Sequence, residues 1–556
     1  MATREAGDRR RGFELLMVGG LALGALGVAA CGSSPDDAGT GGTSGSGASA
    51  GSSGTGGSGA TGAGGGTGGS GGIPLPPTEC EVPATAADTT GARVVGDGTP
   101  AGCTEVALDE ALADPAVHAI VFDCGAAPAT LTVTAPKVVA RDLVIDGGGT
   151  VTLSGGGTTR VLELSSSFEL TTPRLTVQHL AIVDGYTGDL PGSAVESGGA
   201  GIFRDGGSLT VVDCTFHGNV GPAVGQDVAG GAIYSLGVGE TIIVGSTFYD
   251  NRCSSGGAVG VLHAQLQIVN SSLTLNQATG QDGNPGNGGN GGAVYSDGVD
   301  QSELVCGSIL SNNTANAAGG GLFRVSNNGV GPMTIDRTEV AGNTIADNGS
   351  SQAGGLYLQG LQIALTNSTV AGNVATSAGG LFVWHNPGVT SLAMTNVTVA
   401  ENQARSSLGA GMAVSAAVVG TLSQVTIARN GNTGAASFAS AIAGGDGLTI
   451  DNSILADNTK VFVWENTSCN FTHPSGGGNL QWPAANEGGQ DELPCTADIL
   501  FADPLLGPLA DNGGPTRTIL PGAGSPAIGA AADCPPTDQR GEPRDTASCT
   551  AGAVEP

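Results

Sequence analysis

Leu365-Thr366-Asn367-Ser368-Thr369-Val370-Ala371-Gly372-Asn373, followed by Ala378-Gly379-Gly380-Leu381-Phe382, is one copy of a pattern that recurs through more than half of the 556-residue chain. Aligned on the last Asn, the copies end at Asn219, Asn251, Asn276, Asn312, Asn343, Asn373, Asn402, Asn430 and Asn458. Each has an apolar residue three places earlier, from Phe216 and Phe248 through Ile309 to Leu455. Six are followed by a Gly-Gly pair, the first at Gly230-Gly231 and the last at Gly379-Gly380. Regular spacing of this order marks a repeat protein. Apolar residues alternate within each copy, as in Leu209-Thr210-Val211, and β-branched residues dominate, so the segments are short strands. The 99 Gly exclude helical repeats, and the copies are too short for four-stranded propeller blades. About three short strands per copy describe one coil of a parallel β-helix. Stacked coils set equivalent residues about 4.8 Å apart. The nine Asn therefore form a ladder, their amides bonding to one another and to the bent backbone. A looser ladder runs through Asp213, Asn270, Asn367, Asn396 and Asn452.

Phe216-His217-Gly218-Asn219 with Gly230-Gly231-Ala232-Ile233, and Phe248-Tyr249-Asp250-Asn251 with Gly256-Gly257-Ala258-Val259, resemble the FxxN and GGAI repeats of polymorphic outer-membrane proteins. The resemblance covers roughly residues 140 to 460 and implies a right-handed, pectin-lyase-like β-helix. It implies no activity.

Residues 1–30 read as a targeting segment, with Arg4, Arg9, Arg10 and Arg11 ahead of an apolar run from Leu15 to Ala30. Val28-Ala29-Ala30-Cys31 resembles a bacterial lipobox, which implies cleavage before Cys31 and lipidation of its thiol. Arg10-Arg11-Gly12-Phe13 also resembles a twin-arginine export signal, though Glu14 interrupts it. Residues 31–72 form a tether, of which 38–72 contain only Ala, Gly, Ser and Thr. Such a coil spans roughly 30 to 35 Å. Residues 73–139 are assigned to an N-terminal cap containing one helix, Thr104 to Ala113, and 140–468 to about 11 to 13 coils. Residues 469–556 form an irregular C-terminal cap. Within them Ala502-Asp503-Pro504-Leu505, Asp511-Asn512-Gly513-Gly514, Ser525-Pro526-Ala527-Ile528 and Asp538-Gln539-Arg540-Gly541 are similar in order to the choice-of-anchor Q domain, although Gly529 replaces that family's usual Asp.

The net charge is −30. Removing residues 1–30, which hold four Arg and three acids, leaves −31, a balance that repels nucleic acid and anionic lipid. Polyuronates are disfavoured for the same reason unless Ca²⁺ bridges; no other cofactor and no metal site is expected. Ten of the 11 Cys remain after lipidation, and export permits disulfides. We pair Cys103 with Cys124, Cys469 with Cys495 and Cys534 with Cys549. Cys80 is left without a partner, and Cys214, Cys253 and Cys306 are expected as free buried thiols. No C-x-x-C arrangement suggests metal binding.

No catalytic residues are assigned. The motifs of polygalacturonase-like enzymes and of pectate lyases are missing, and the only Lys are Lys137 and Lys460. His179, His217 and His263, like Arg204 and Arg324, read as surface residues. Length variation between the ladder Asn and Gly-Gly falls on one edge, where Asp227, Asp282, Asn284, Asn287 and Asp347, with Trp384, are candidate binding residues. Tyr234, Tyr295 and Phe323 occupy similar places after their Gly pairs, and Trp384-His385 extends that strand. Such a column stacks either on sugar rings or within the core. The expectation is a monomeric, lipid-anchored outer-membrane or cell-surface lipoprotein, non-catalytic, that binds a polysaccharide or another surface protein. The alternatives are a polysaccharide lyase or glycoside hydrolase of this fold, and a structural envelope spacer.

Overall fold

The computed structural model describes residues 79–556, apart from 193, 387, 407, 435–438 and 462–465. Cys31, the targeting segment and the tether lie outside the described residues. The described chain is an all-β parallel β-helix of about 13 turns. Each middle coil visits three sheets. The 262–293 coil, for example, passes from Gln265–Val269 through a bend to Ser272–Thr274, then Gln277–Ala278, and reaches Val294–Gly298 after a turn. The first two strands join a 24-stranded sheet, the third an 8-stranded one and the last an 11-stranded one.

The alternation of the sequence explains this. Inward residues stack in register across coils, as Phe216, Phe248, Leu273, Leu310 and Val340 do, and the Phe216 and Phe248 rings lie parallel at 4.7 Å. Each ladder Asn turns its amide inward at the corner that follows. Asn343 Nδ2 donates to Asn373 Oδ1 at 2.9 Å and to the Leu310 carbonyl at 2.9 Å. Its own Oδ1 accepts from the backbone N–H and Nδ2 of the preceding ladder Asn, at 3.0 and 2.9 Å. Two protons and two lone pairs are all used, the full capacity of a neutral amide.

That preceding residue is Asn313, which corrects the assignment of Asn312 to the ladder. Asn312 is exposed and holds φ 54° at the bend before the corner. Leu310 rather than Ile309 is correspondingly the inward residue. The Gly pairs shift in the same way. Gly230 and Gly256 have positive φ, but at Gly354-Gly355 and Gly379-Gly380 that role falls to Ala353 and Ala378 one residue earlier. What the pairs share is Gly at the next position, where a Cβ on Gly354 would lie 2.4 Å from the Gly379 carbonyl oxygen of the next coil.

The helix at Glu105–Ala113 covers the first coil, with Leu108 and Ala111 buried. Thr104 accepts from the Ala107 N–H as its N-cap. Lys137, almost fully buried, pairs with Glu105 at 2.5 Å and Asp109 at 2.8 Å and fixes the helix to the stack. Residues 79–88 do not belong to an end cap. They run outside the coils along the bend column, where Asn270 Nδ2 donates to the Cys80 carbonyl and Gln178 Nε2 to that of Ala87. Cys80 is bonded to Cys306, 226 residues away. This supplies the partner missing for Cys80 and corrects Cys306 from a free thiol to a bridged one. The Cys103–Cys124, Cys469–Cys495 and Cys534–Cys549 bonds are present, and Cys214 and Cys253 are free and buried.

The C-terminal region departs from an end cap as well. Only its first part closes the stack, with Leu480–Trp482 pairing to Ile454–Ala456. The rest folds back along the flank. Gln539 Nε2 donates to the Ser368 carbonyl, Asn396 Nδ2 to that of Thr537, and Arg517 pairs with Glu339 at 2.6 Å. Both straps use the column of the looser ladder, whose Asp213, Asn270, Asn367, Asn396 and Asn452 all hold φ near 50°. They approach each other at Arg337, which donates to the Glu79 carbonyl, and Glu339, which holds Arg517.

Candidate functional site

The outward face of the 11-stranded sheet gathers the residues of interest. One outward column reads Phe203, Tyr234, Gly260, Tyr295, Phe323, Tyr357 and Phe382. Tyr295 and Phe323 stack at 5.5 Å, Phe323 and Tyr357 at 4.9 Å, and the Arg160 guanidinium sits 4.5 Å over Phe203. The column points away from the core, yet most of it is buried, because turn residues such as Ala229 and Ala318 fold over it with Phe168 and Val195. Of the two expectations for Tyr234, Tyr295 and Phe323, burial within the protein holds, in a second hydrophobic cluster separate from the central one, and a free sugar platform does not. Gly260 breaks the column because the Tyr234 ring leans into its place, 2.8 Å from where a Cβ would stand.

The neighbouring outward column reads Leu236, Leu262, Asp297, Val325, Gln359 and Trp384. It begins apolar and ends open. Trp384 is 41% exposed, and with Phe471 it is one of two exposed Phe or Trp side chains among the described residues. Phe382 backs it at 5.7 Å and His385 stacks beside it at 5.1 Å. His385 is fixed in turn by the Ser415 hydroxyl, 2.9 Å from Nδ1.

Three rungs away, about 14 Å by strand spacing, Asp297 is 6% exposed at the centre of a polar cluster. Tyr295 Oη lies 2.8 Å from Asp227 Oδ1 and 3.1 Å from Asp297 Oδ2. Asn284 Nδ2 reaches the same two oxygens at 2.9 Å each, and Asn327 Nδ2 donates to Asp297 Oδ1 at 2.8 Å. Tyr234 Oη donates to the Asp227 carbonyl. Burial, reinforced by the Asp227 charge, pushes the Asp297 carboxyl up to about 7. Desolvation likewise raises the Tyr295 phenol well above its ordinary range.

Of the candidate edge, then, Asp227 is brought together with the longest insertion through Asn284, while Asp282 and Asp347 remain exposed. Asp282 sits at the tip of that insertion with φ 70°, and Asp347 accepts from Thr376 Oγ1 at 3.4 Å. Trp384 belongs to the sheet face rather than to the edge. Asn284 is one of the edge candidates, whereas Asp297 and Asn327 are not among them, although Tyr295-Ser296-Asp297 alternates and so places both functional side chains on one face.

Arg204 and Arg324 correct the expectation of surface arginines. Both are fully buried, in the inward column that runs through Ser235, Val261 and Ser296. Arg204 donates to the carbonyls of Gly207, Gly237 and Gly239, and Arg324 to Glu303 and the carbonyls of Gln301, Gly331 and Gln359. They close the corner where the coils turn, a structural use of the guanidinium fork.

One group of three metal-ligand side chains comes together among the described residues, Cys80, Cys306 and Asp336. Two of its members are joined as a disulfide and offer no thiolate. Among the described residues no helix is long and apolar enough to cross a membrane. No family model matches the chain, and no curated protein matches it.

Proposed function

We propose that this chain is a non-catalytic envelope β-helix that binds a neutral polysaccharide along the outer face of its 11-stranded sheet. The observation that carries this reading is Trp384, an exposed indole held rigid from behind by Phe382 and from the side by His385. A large aromatic face whose freedom is already lost stacks on the apolar face of a sugar ring at little further entropic cost. Gln359, one rung away and partly exposed, adds an amide for hydroxyl groups. The preference for neutral sugars follows from the −30 charge, which repels uronates. Display at the cell surface, through lipid on Cys31, belongs to the same proposal and rests on the sequence of residues 28–72.

A hydrolase takes its support from one observation, two adjacent carboxylates of which one holds its proton near neutrality. Asp297 is closed off beneath Asn284, however, and a substrate cannot reach it in this arrangement.

Screening the soluble body against an array of neutral and acidic glycans tests the proposal. Retention of at least one neutral polymer is expected, weakened about tenfold by Trp384→Ala, with no new reducing ends. Failure to retain any neutral polymer, or equal retention by the variant, overturns it.

A further inference from the structure

The cluster around Tyr295 contains more close polar contacts than its own protons can fill. Asn284 Nδ2 brings two hydrogens and Tyr295 Oη one. They face Asp227 Oδ1 and Asp297 Oδ2 across four contacts of 2.8 to 3.1 Å, and Asn284 Nδ2 also lies 3.1 Å from Tyr295 Oη. With both carboxylates ionised, Tyr295 donates to one of them and turns a lone pair towards the other, with no hydrogen between. One further proton, on Asp297 Oδ2, completes the chain: Asp297 donates to Tyr295, which donates to Asp227.

Among the described residues, neither Tyr295 nor Asn284 has a further hydrogen to place there. The titratable groups around Asp297 are Asp227 and Tyr234 from two coils before, His263 from the adjacent coil and Tyr357 from two coils on, with Cys253, Glu169, Glu196 and Asp300 beyond. Burial pulls the His263 imidazole below its ordinary range, and its Nδ1 accepts the Val299 N–H. Asp297 rather than Asp227 is the holder, because Asp227 is partly exposed and Asp297 is not.

The insertion that covers the pair is fixed at its base and held to the sheet further out through Asn284. Thr279 Oγ1 donates to the Ala223 carbonyl, the Gly289 N–H to that of Ser254, and Ser254 Oγ to that of Asn287. Gln281 and Asn287 bridge across it. Beyond them, Asn284 is the side chain that ties the tip to the sheet.

We propose that Asp227 and Asp297 share one proton through Tyr295, and that its loss lifts the 282–286 tip. An ionised Asp297 requires water, and water enters beneath Asn284. The device stands apart from Trp384 and from glycan binding, so its failure and the failure of that reading are separable.

Hydrogen exchange of the full chain at about pH 5.5 and about pH 8.5, corrected for intrinsic rates, tests it. Protection of the tip amides is expected to fall about tenfold at the higher pH, with the base of the insertion unchanged. Asp297→Asn supplies an N–H in place of the carboxyl proton and is expected to hold the tip at both pH values. Infrared spectroscopy of the wild-type chain gives an independent reading should that variant not fold: a buried protonated carboxyl band is expected to disappear through neutral pH. Tip protection that does not change with pH, or no carboxyl band surviving above about pH 5, overturns the proposal.

Discussion

The Asn ladder and the cluster around Asp297 both bury polar side chains against the same coils, and they solve the problem in opposite ways. In the ladder an interior amide such as Asn343 accepts twice and donates twice, and three of those four bonds are to neighbouring copies of itself. Stacking and satisfaction are one event, and no charge is involved. The cluster has no such repetition. Its column holds Leu236, Leu262 and Val325 on neighbouring rungs, so the carboxylate at Asp297 finds nothing equivalent above or below. Partners come instead from an insertion and from a turn a coil or more away. A repeat buries a neutral group easily and an isolated acid only with help from outside the repeat.

Breaking the ladder in its interior should have the largest effect. Asn343→Ala takes the acceptor from the buried Asn313 N–H, one of the two acceptors from Asn313 Nδ2 and a donor from the Leu310 carbonyl, at roughly 1–3 kcal/mol for a buried group left unpaired. Asn312→Ala, next to the ladder, should cost no more than about 1 kcal/mol, through its positive φ alone. Urea unfolding of the two variants gives the ranking, and equal midpoints would show that the register correction is wrong.

The cluster should impose a pH dependence on stability that the ladder lacks. Asp297 holds its proton to about 7 when folded, against 3.8 for a free carboxyl. Between those values the native state binds more protons than the unfolded one, so stability falls as pH rises from about 4 to about 7 and then levels off. The loss from this one group is about 4 kcal/mol. It runs opposite to Glu105, whose pairing with Lys137 holds its carboxyl below the usual range and whose contribution is lost as pH falls. The wild-type curve minus that of Asp297→Asn should contain this slope; parallel curves would remove the charge from the account.

Tyr295→Phe sharpens the contrast by deleting one hydroxyl and leaving the stack with Phe323. A loss of about 1–2 kcal/mol is expected, larger below neutral pH than above it, by thermal melts at both. Smallest of all is Trp384→Ala, which sits at the open end of its column and should shift stability by less than about 1 kcal/mol.

The fold was legible because its signal is repeated: alternation, the Asn and the Gly pairs recur in copy after copy. The errors fall where the repeat is locally degenerate or where the chain leaves it. Ile309-Leu310 and Asn312-Asn313 offer two apolar residues and two amides in a row, and only the choice of Leu310 for the interior decides which Asn follows it round the corner. Arg204 and Arg324 stand at inward positions by strict alternation, but a charged side chain there reads as surface until the carbonyls it caps are seen. The Cys80–Cys306 bond joins a strap outside the coils to a strand seven rungs on from Arg93–Gly96, and no local pattern announces it. Burial of the outward aromatics depends on turns folding over them, information held in no single copy.

That bond also has a mechanical meaning. Because Cys80 is joined to Cys306, a pull applied through the chain before Glu79 passes directly into the coil that contains Cys306, in the middle of the stack. The strap, the helix at Glu105–Ala113 and the early coils lie within the closed loop and carry none of the tension. A solenoid pulled from its terminus unzips one coil at a time, whereas here the load meets a strand held by a parallel neighbour on each side, Gln265–Val269 and Met333–Asp336. The weakest end of the stack is thereby taken off the line of force.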